Sequence, residues 1–351
     1  MRDVMRYSGI VTKVAAMRAK LLKPQDYEQL ASMDTVTDII EYLKQTKSYG
    51  KFITQMDESL YHRGNIEKVL IQSLYDDYTR LYRFADMQQK DFLKIFMKRY
   101  EVDLVRYCLR IVFNHSNVPF DLNYKKPFFD KYSKIRIDQL VTAKNIDHLV
   151  DYLKNTEYYA PLSRIRQSGA STLADYELAL DLYYFSMMWK ERKGNWDKKD
   201  KEMLTKELGA KIDLLNLQWI YRAKKYYHML APDIYTLLIK LSNQEFKDLV
   251  EAPSVEEFKR RLNETYYGKK YEFGEQVQIE SIVNECVEHI LTIAYRNHPY
   301  SLVSIQQYLF LKEEEIYKIT TALECIRYGL SQRETLQYLV QKQRRQGGNA
   351  S

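Results

Sequence analysis

The sequence predicts an all-α fold built from three homologous helical bundles. Glycine and proline, which most tight turns require, number only 11 and 7 among 351 residues. This scarcity argues against a sandwich, a barrel or a loop-rich disulfide scaffold. Hydrophobic residues make up 45% of the chain and charged residues 29%, enough for several cores with a solvated surface. Three sequence landmarks also recur in the same order at nearly constant separation, which indicates an internal triplication.

The first landmark is a leucine followed by apolar residues at +6, +9 and +13 and by a threonine at +16. It begins, in steps of 110 and 109 residues, at Leu30, Leu140 and Leu249. Tyrosines follow each copy, at Tyr49, at Tyr158-Tyr159 and at Tyr266-Tyr267. Apolar spacing in the first copy predicts a helix from Thr35 to Lys44 with Asp34 as its N-cap. In the third copy Ser254 is the predicted cap.

The second landmark is a bulky residue before glutamate at the head of a long amphipathic helix, at Ile66-Glu67, Tyr176-Glu177 and Ile279-Glu280. The apolar faces predicted for these helices are Ile66, Val69, Leu70, Leu74, Tyr78 and Leu81; Leu178, Leu182 and Phe185; and Ile282, Cys286 and Ile290. The third landmark is an acid before an apolar residue, at Asp103-Leu104, Asp213-Leu214 and Glu315-Ile316. It lies in helices predicted from about Asp91 to Val112, Lys201 to His228 and Lys312 to Gln341.

The landmarks divide the chain into three predicted repeats and a tail. The repeats are 1–125, which includes an N-terminal helix, 126–232 and 233–341, and the basic tail at 342–351 is predicted to be disordered. Similar interfaces between like units favour a pseudo-threefold arrangement, which leaves an axis with a central cavity or funnel. An open solenoid is the competing arrangement.

The sequence shows no recognisable motif for catalysis, nucleotide binding or metal binding. Neither a P-loop nor a GxGxxG motif occurs, and the histidines and cysteines lack the spacings of metal ligands. Adjacent acids at Glu313-Glu314-Glu315 and Glu256-Glu257 are expected to be solvated. The net charge of +7 is modest for a nucleic-acid binder, and no apolar run reaches the about 18 residues of a membrane span. We therefore expect no catalytic residue, cofactor, metal site, nucleic-acid partner or membrane span.

Residues 7–22, YSGIVTKVAAMRAKLL, running into Tyr27-Glu28-Gln29-Leu30, resemble the start of the C subunit of bacterial and archaeal V/A-type ATPases. Its eukaryotic equivalent is called the d subunit. The likeness extends over essentially the whole chain, through the triplicated helical units, the segment from Tyr176 to Asp181 and the length. In this family three helical domains form a funnel on the cytoplasmic face of the membrane rotor ring, and the central axle seats in it.

The resemblance implies a non-catalytic, peripheral central-stalk subunit that couples ATP hydrolysis or synthesis elsewhere to proton or sodium-ion transport. Its implied partners are the proteolipid subunits of the rotor ring and the axle subunits, and the chain would be a monomer within that hetero-oligomer. Three arginines near the ends of the third-landmark helices are candidate axle contacts, namely Arg110, Arg222 and Arg327. The alternative hypothesis is a free-standing helical-repeat scaffold that binds protein or nucleic acid.

Overall fold

The computed structural model describes residues 2–114, 121–169, 172–239, 244–273 and 279–340. Regular structure within these ranges is helical throughout, with nineteen α-helices, one 3₁₀ turn at Glu58–Leu60 and no β-strand. The prediction of an all-α class is confirmed. The tail predicted at 342–351 lies outside the described residues.

Six helices precede residue 114. They are α1 (Arg2–Arg18), α2 (Pro24–Ala31), α3 (Val36–Gln45), α4 (Gly50–Ile53), α5 (Arg63–Phe84) and α6 (Met87–Phe113). Helix α6 begins behind a reciprocal cap, because the Gln89 backbone N–H donates to the Asp86 carboxylate at 2.8 Å and the Asp86 N–H donates to the Gln89 side-chain oxygen at 3.0 Å. The predicted apolar face of α5, from Ile66 to Leu81, is buried at every position.

Six more helices lie between residues 126 and 225. They are α7 (Lys126–Tyr132), α8 (Ile137–Leu140), α9 (Ile146–Tyr152), α10 (Tyr159–Gln167), α11 (Leu173–Glu191) and α12 (Lys198–Lys225). Side-chain caps start two of them. The Asn145 side chain accepts from the His148 N–H at 2.9 Å ahead of α9, and Thr172 forms a capping box with Asp175 ahead of α11.

Seven helices complete the described chain. They are α13 (Ala231–Leu237), α14 (Gln244–Val250), α15 (Val255–Glu264), α16 (Tyr266–Lys270), α17 (Glu280–Asn297), α18 (Val303–Arg327) and α19 (Gln332–Val340). Ser254 accepts a hydrogen bond from the Glu257 N–H at 3.1 Å and so caps α15, as predicted.

Predicted helix ends were wrong at α3 and at both ends of α18. The cap of α3 is Thr35 rather than Asp34, because Thr35 exchanges hydrogen bonds of 3.1 Å with Asp38 in a capping box. The third helix of the last repeat starts at Val303, nine residues before the predicted Lys312, and ends at Arg327 rather than at Gln341. Gly329 has a positive φ of 65°, and the Leu330 N–H returns to the Cys325 carbonyl at 3.0 Å, so a Schellman motif stops the helix.

The apolar face predicted for α11 was also misplaced. Leu178, Leu182 and Phe185 are only half-buried. The buried residues of this helix are Tyr176, Ala179, Leu180 and Met188. The helix packs against both α10 and α12, so its buried positions spread around the helix instead of following one stripe.

The chain divides into two compact units. One contains Met1–Leu93, Asn123–Phe128 and Leu291–Gln341, so it unites the two ends of the described chain. There α18 packs against α1, α3 and α5. The other contains Lys94–Leu122 and Phe129–Ile290. Its core includes Leu214 and Ile220 of α12 packed with Phe258 of α15. The predicted repeat boundaries remain predictions, although the one at 126 coincides with the start of α7.

Candidate functional site

Glu315 on α18 is a buried carboxylate in the first unit, so the expectation of a solvated acidic run was wrong at this residue. The residue is 2% exposed. Glu315 accepts from the Tyr49 hydroxyl at 2.6 Å, the Lys312 ammonium at 3.1 Å and the Leu22 backbone N–H at 2.5 Å. The Lys312 ammonium also lies 3.9 Å from the centre of the Tyr49 ring, within cation–π range. We call Tyr49, Lys312 and Glu315 the Tyr49 joint.

A similar group, the Tyr158 joint, lies in the second unit and consists of Tyr158, Lys98 and Glu101. The Tyr158 hydroxyl donates to Glu101 at 2.7 Å, and the Lys98 ammonium lies 2.9 Å from the same carboxylate. The Ser133 hydroxyl donates to its other oxygen at 2.5 Å. Lys98 also pairs with Glu157 at 2.7 Å. The buried carboxylate of Glu101 is therefore held by three donors.

The Tyr267 joint is a third contact of this kind, also within the second unit. The hydroxyl of Tyr267, at the start of α16, donates to Asp213 of α12 at 3.0 Å. In each joint a tyrosine that follows the first landmark thus bonds to a carboxylate on one of the long helices α6, α12 and α18.

The local structure around the three tyrosines recurs with the same spacing. The tyrosines lie 109 residues apart at both steps. The threonine of the first landmark donates its hydroxyl to the carbonyl of the leucine three residues earlier in every copy. The bonds are Thr46 to Leu43 at 2.7 Å, Thr156 to Leu153 at 2.8 Å and Thr265 to Leu262 at 2.7 Å. The sequence repeat is therefore also a repeat of hydrogen bonds.

The electrostatics of the joints favour fixed donors and acceptors. Burial, reinforced by the partner carboxylate, raises the pKa of Tyr49, Tyr158 and Tyr267, so each hydroxyl keeps its proton. Burial lowers the pKa of Lys312, and the negative charge of Glu315 opposes that shift. For Lys98 burial acts in the same direction, but Glu101 and Glu157 outweigh it and raise the pKa. A hydroxyl that keeps its proton and donates to a neighbouring carboxylate makes a lasting contact between the segments that carry the two groups.

The three candidate arginines each lie within three residues of the end of their helix. Arg110 in the second unit is 56% exposed and donates to Glu177 at 2.7 Å. Arg222, in the same unit, has its guanidinium 5.5 Å from the centre of the Trp219 ring. Arg327 in the first unit is 64% exposed and lies 3.9 Å from Glu324. Each arginine is thus engaged by a different partner.

Charged side chains beside a cavity next to α15 form ion pairs with each other. A cavity of about 420 Å³ beside α15 is lined by Asp248, Leu249, Arg260, Arg261, Glu264 and Thr265. Arg260 and Arg261 both bind Glu257, at 2.8 and 2.7 Å, and these hydrogen bonds, reinforced by the positive charges, lower the pKa of that carboxyl to about 2. Across the described ranges, no group of three or more histidine, cysteine or acidic side chains could hold a metal ion.

Among the described helices, none combines the length with the apolar character that a bilayer crossing requires.

Sequence reasoning missed the acids that partner the tyrosines. The signal for the tyrosines was present, since they follow the first landmark at a constant spacing. Two of the acids, Asp213 and Glu315, stand in the third landmark, but Glu101 lies two residues before it. A pattern of helical spacing does not say which carboxylate faces a neighbouring helix.

Comparison with known proteins supports the sequence resemblance. The family model of the ATP synthase (C/AC39) subunit matches residues 10–338. The C subunit of the A-type ATP synthase of Thermococcus kodakarensis is 24% identical over 92% of this chain and 87% of its own length. Those of Methanosarcina mazei (23% identical; 93% and 90%) and Pyrococcus abyssi (24%; 92% and 87%) are similar over comparable spans. The matched span covers the helices that carry all three joints, and the chain belongs to the ATP synthase (C/AC39) subunit family.

Proposed function

We propose that this chain is a non-catalytic central-stalk subunit of a V/A-type rotary ATPase or ATP synthase. It links the axle to the membrane rotor ring and couples ATP hydrolysis or synthesis to the passage of protons or sodium ions. Its family supports membership of an ATP synthase complex. The relatives, which are C subunits of A-type ATP synthases, support the A-type class of that complex.

The observation that carries the proposal is the order in which the joints connect the chain. In terms of the predicted repeats, Tyr158 of the second bonds to an acid of the first, and Tyr267 of the third bonds to an acid of the second. Tyr49 of the first repeat bonds to Glu315 of the last. In an open solenoid each repeat contacts only its neighbours, so a first-to-last bond favours a closed, pseudo-threefold set. Such a set leaves a funnel on its axis for the tip of the axle.

The mechanism is mechanical. Close-packed helices resist shear, and the buried joints fix one helix against the next, so twist applied at the axle reaches the ring. Coupling requires adhesion at two surfaces, each above about 1,000 Å² if the contacts are to be stable. The chain lies as a peripheral monomer on the cytoplasmic face of the membrane, between the proteolipid ring and the axle.

Arg110, Arg222 and Arg327 are our candidates for contact with the axle, because exposed arginines near helix ends suit recognition of acidic side chains. Replacing each by glutamate should weaken binding of purified axle subunits to this chain. Arg164→Glu, at an exposed position on α10, is the matched control. Equal axle affinity in the control and in the three variants would remove these residues from the interface.

Deletion of the chain tests the function itself. We expect the soluble catalytic head to dissociate from membranes, and ATP hydrolysis to continue without ion pumping. Re-expression of the chain should restore both properties. A head that still sediments with membranes and still pumps ions after the deletion would refute the role as coupler.

A further inference from the structure

The Tyr49 joint differs from the other two in the length of chain that connects its partners. Tyr158 and Glu101 are 57 residues apart, and Tyr267 and Asp213 are 54 apart, whereas Tyr49 and Glu315 are 266 apart. The probability that two chain positions meet falls as about the 3/2 power of the intervening length. By length alone, the partners of the Tyr49 joint meet about tenfold less readily once separated than those of the other joints.

Polar contacts along the whole length of α18 reinforce this connection between distant parts of the chain. Near its start, Arg18 donates to Gln307 at 3.1 Å and Tyr308 donates to Asp77 at 2.5 Å. The Tyr49 joint follows at Lys312 and Glu315. Towards the end of α18, Glu324 pairs with Arg63. The last long helix is thus bonded at four levels to residues from α1 to α5.

The Tyr49 joint, which lies between the other contacts of α18, is buried, so we expect its bonds to form or break together. Lys312 is 1% exposed, and Glu315 shares that burial with three donors around it. A buried carboxylate that loses one donor keeps its desolvation cost, so partial opening is unfavourable. The favourable states are a closed joint with every bond made and an open joint into which water enters.

We propose that the Tyr49 joint is a latch that locks the two ends of the chain together. Opening it releases α18 from α1–α5 while α12–α16 stay folded. The Tyr158 and Tyr267 joints position helices that a short chain segment already holds near each other. In the closed arrangement of the proposed function, on which this role rests, the latch keeps the set of three repeats closed around the funnel when torque is applied.

Hydrogen exchange of the isolated chain tests the latch with three matched variants. Tyr49→Phe, Tyr158→Phe and Tyr267→Phe each remove one hydroxyl and keep the ring. Loss of a hydrogen bond to a charged group corresponds to about a 10- to 100-fold change in an opening equilibrium. We expect Tyr49→Phe to speed amide exchange in both α18 and α1–α5 by that factor, with exchange in α12–α16 unchanged. We expect the other two variants to speed exchange only in the helices that flank their own joint.

Two results would overturn the latch. One is unchanged exchange in α18 of Tyr49→Phe. The other is an equal effect of all three variants on α18. Glu315→Gln serves as a second variant, since it keeps the shape of the side chain and should reproduce the Tyr49→Phe pattern. Ion pumping by the assembled complex is measured separately, so failure of the proposed function leaves the exchange result interpretable.

Discussion

Replacing Lys312 by methionine should lower the free energy of unfolding of the first unit by about 3–5 kcal/mol. Methionine keeps most of the apolar stem but removes the charge that lies 3.1 Å from Glu315. At an effective dielectric of about 20, a pair at this separation attracts by about 5 kcal/mol. The Tyr49 hydroxyl and the Leu22 N–H remain as donors to the carboxylate and offset part of the loss. We therefore expect a value near the lower end of the range.

Urea unfolding followed by circular dichroism measures the effect. The three tryptophans, Trp189, Trp196 and Trp219, all lie in the second unit, so their fluorescence reports that unit separately. The dichroism transition should shift to lower urea while the fluorescence transition stays in place. Lys44→Met is the matched control, because Lys44 lies 3.3 Å from Glu41 in a pair that is partly exposed to solvent. It should cost less than about 1 kcal/mol.

The double variant Lys312→Met/Glu315→Gln separates the cost of a broken pair from the net value of the pair. Removing both charges should recover most of the lost stability, because a buried pair is offset by its own desolvation. A loss from Lys312→Met as small as that of Lys44→Met would refute the reasoning. So would a double variant that is less stable than the single one.

Three further predictions concern other parts of the chain. Gly268→Ala should destabilise by about 1–3 kcal/mol in urea unfolding, since a Cβ there would meet the Leu262 carbonyl oxygen at 1.9 Å; Gly209→Ala, in open space within α12, should stabilise by up to about 1 kcal/mol. Burial and the charge of Asp77 raise the pKa of Tyr308, so the folded state keeps a proton that the unfolded state loses above about pH 10. The stability of the parent should therefore fall above this pH, and that of Tyr308→Phe should fall less steeply. Urea midpoints at about pH 8 and about pH 11 measure the difference. Thr35→Ala should cost about 1 kcal/mol by loss of the α3 cap, whereas an unchanged midpoint would contradict the capping assignment.

The helix content and several boundaries were predictable from local chemistry. Ser254 caps α15 as its position before two glutamates suggests, and α12 starts and ends within three residues of the prediction. Two of the errors arose where a signal at a helix end was overlooked. Gly329 adopts the left-handed region and ends α18, and Thr35 displaced Asp34 because its hydroxyl reaches the Asp38 N–H.

The candidate site was less predictable than the helices. The arginines were chosen because they stand near helix ends, and they do lie there. Arg110 binds Glu177 of α11, whereas Arg222 and Arg327 contact Trp219 and Glu324 of their own helices. The spacing of the tyrosines after the first landmark was visible in the sequence, but the partners of their hydroxyls were not. The hydroxyls of Tyr49 and Tyr158 are directed to buried carboxylates.

The amino-acid order alone was enough to establish an all-helical chain with recurring segments. Helical periodicity and capping depend on neighbouring positions, and the landmarks can be compared residue by residue. The bond between Tyr49 and Glu315 joins positions 266 residues apart. Helical spacing places Glu315 on one side of α18 but does not say which helix will cover that side. That choice arises from packing, which buried one acid of a charged run and brought the ends of the chain together.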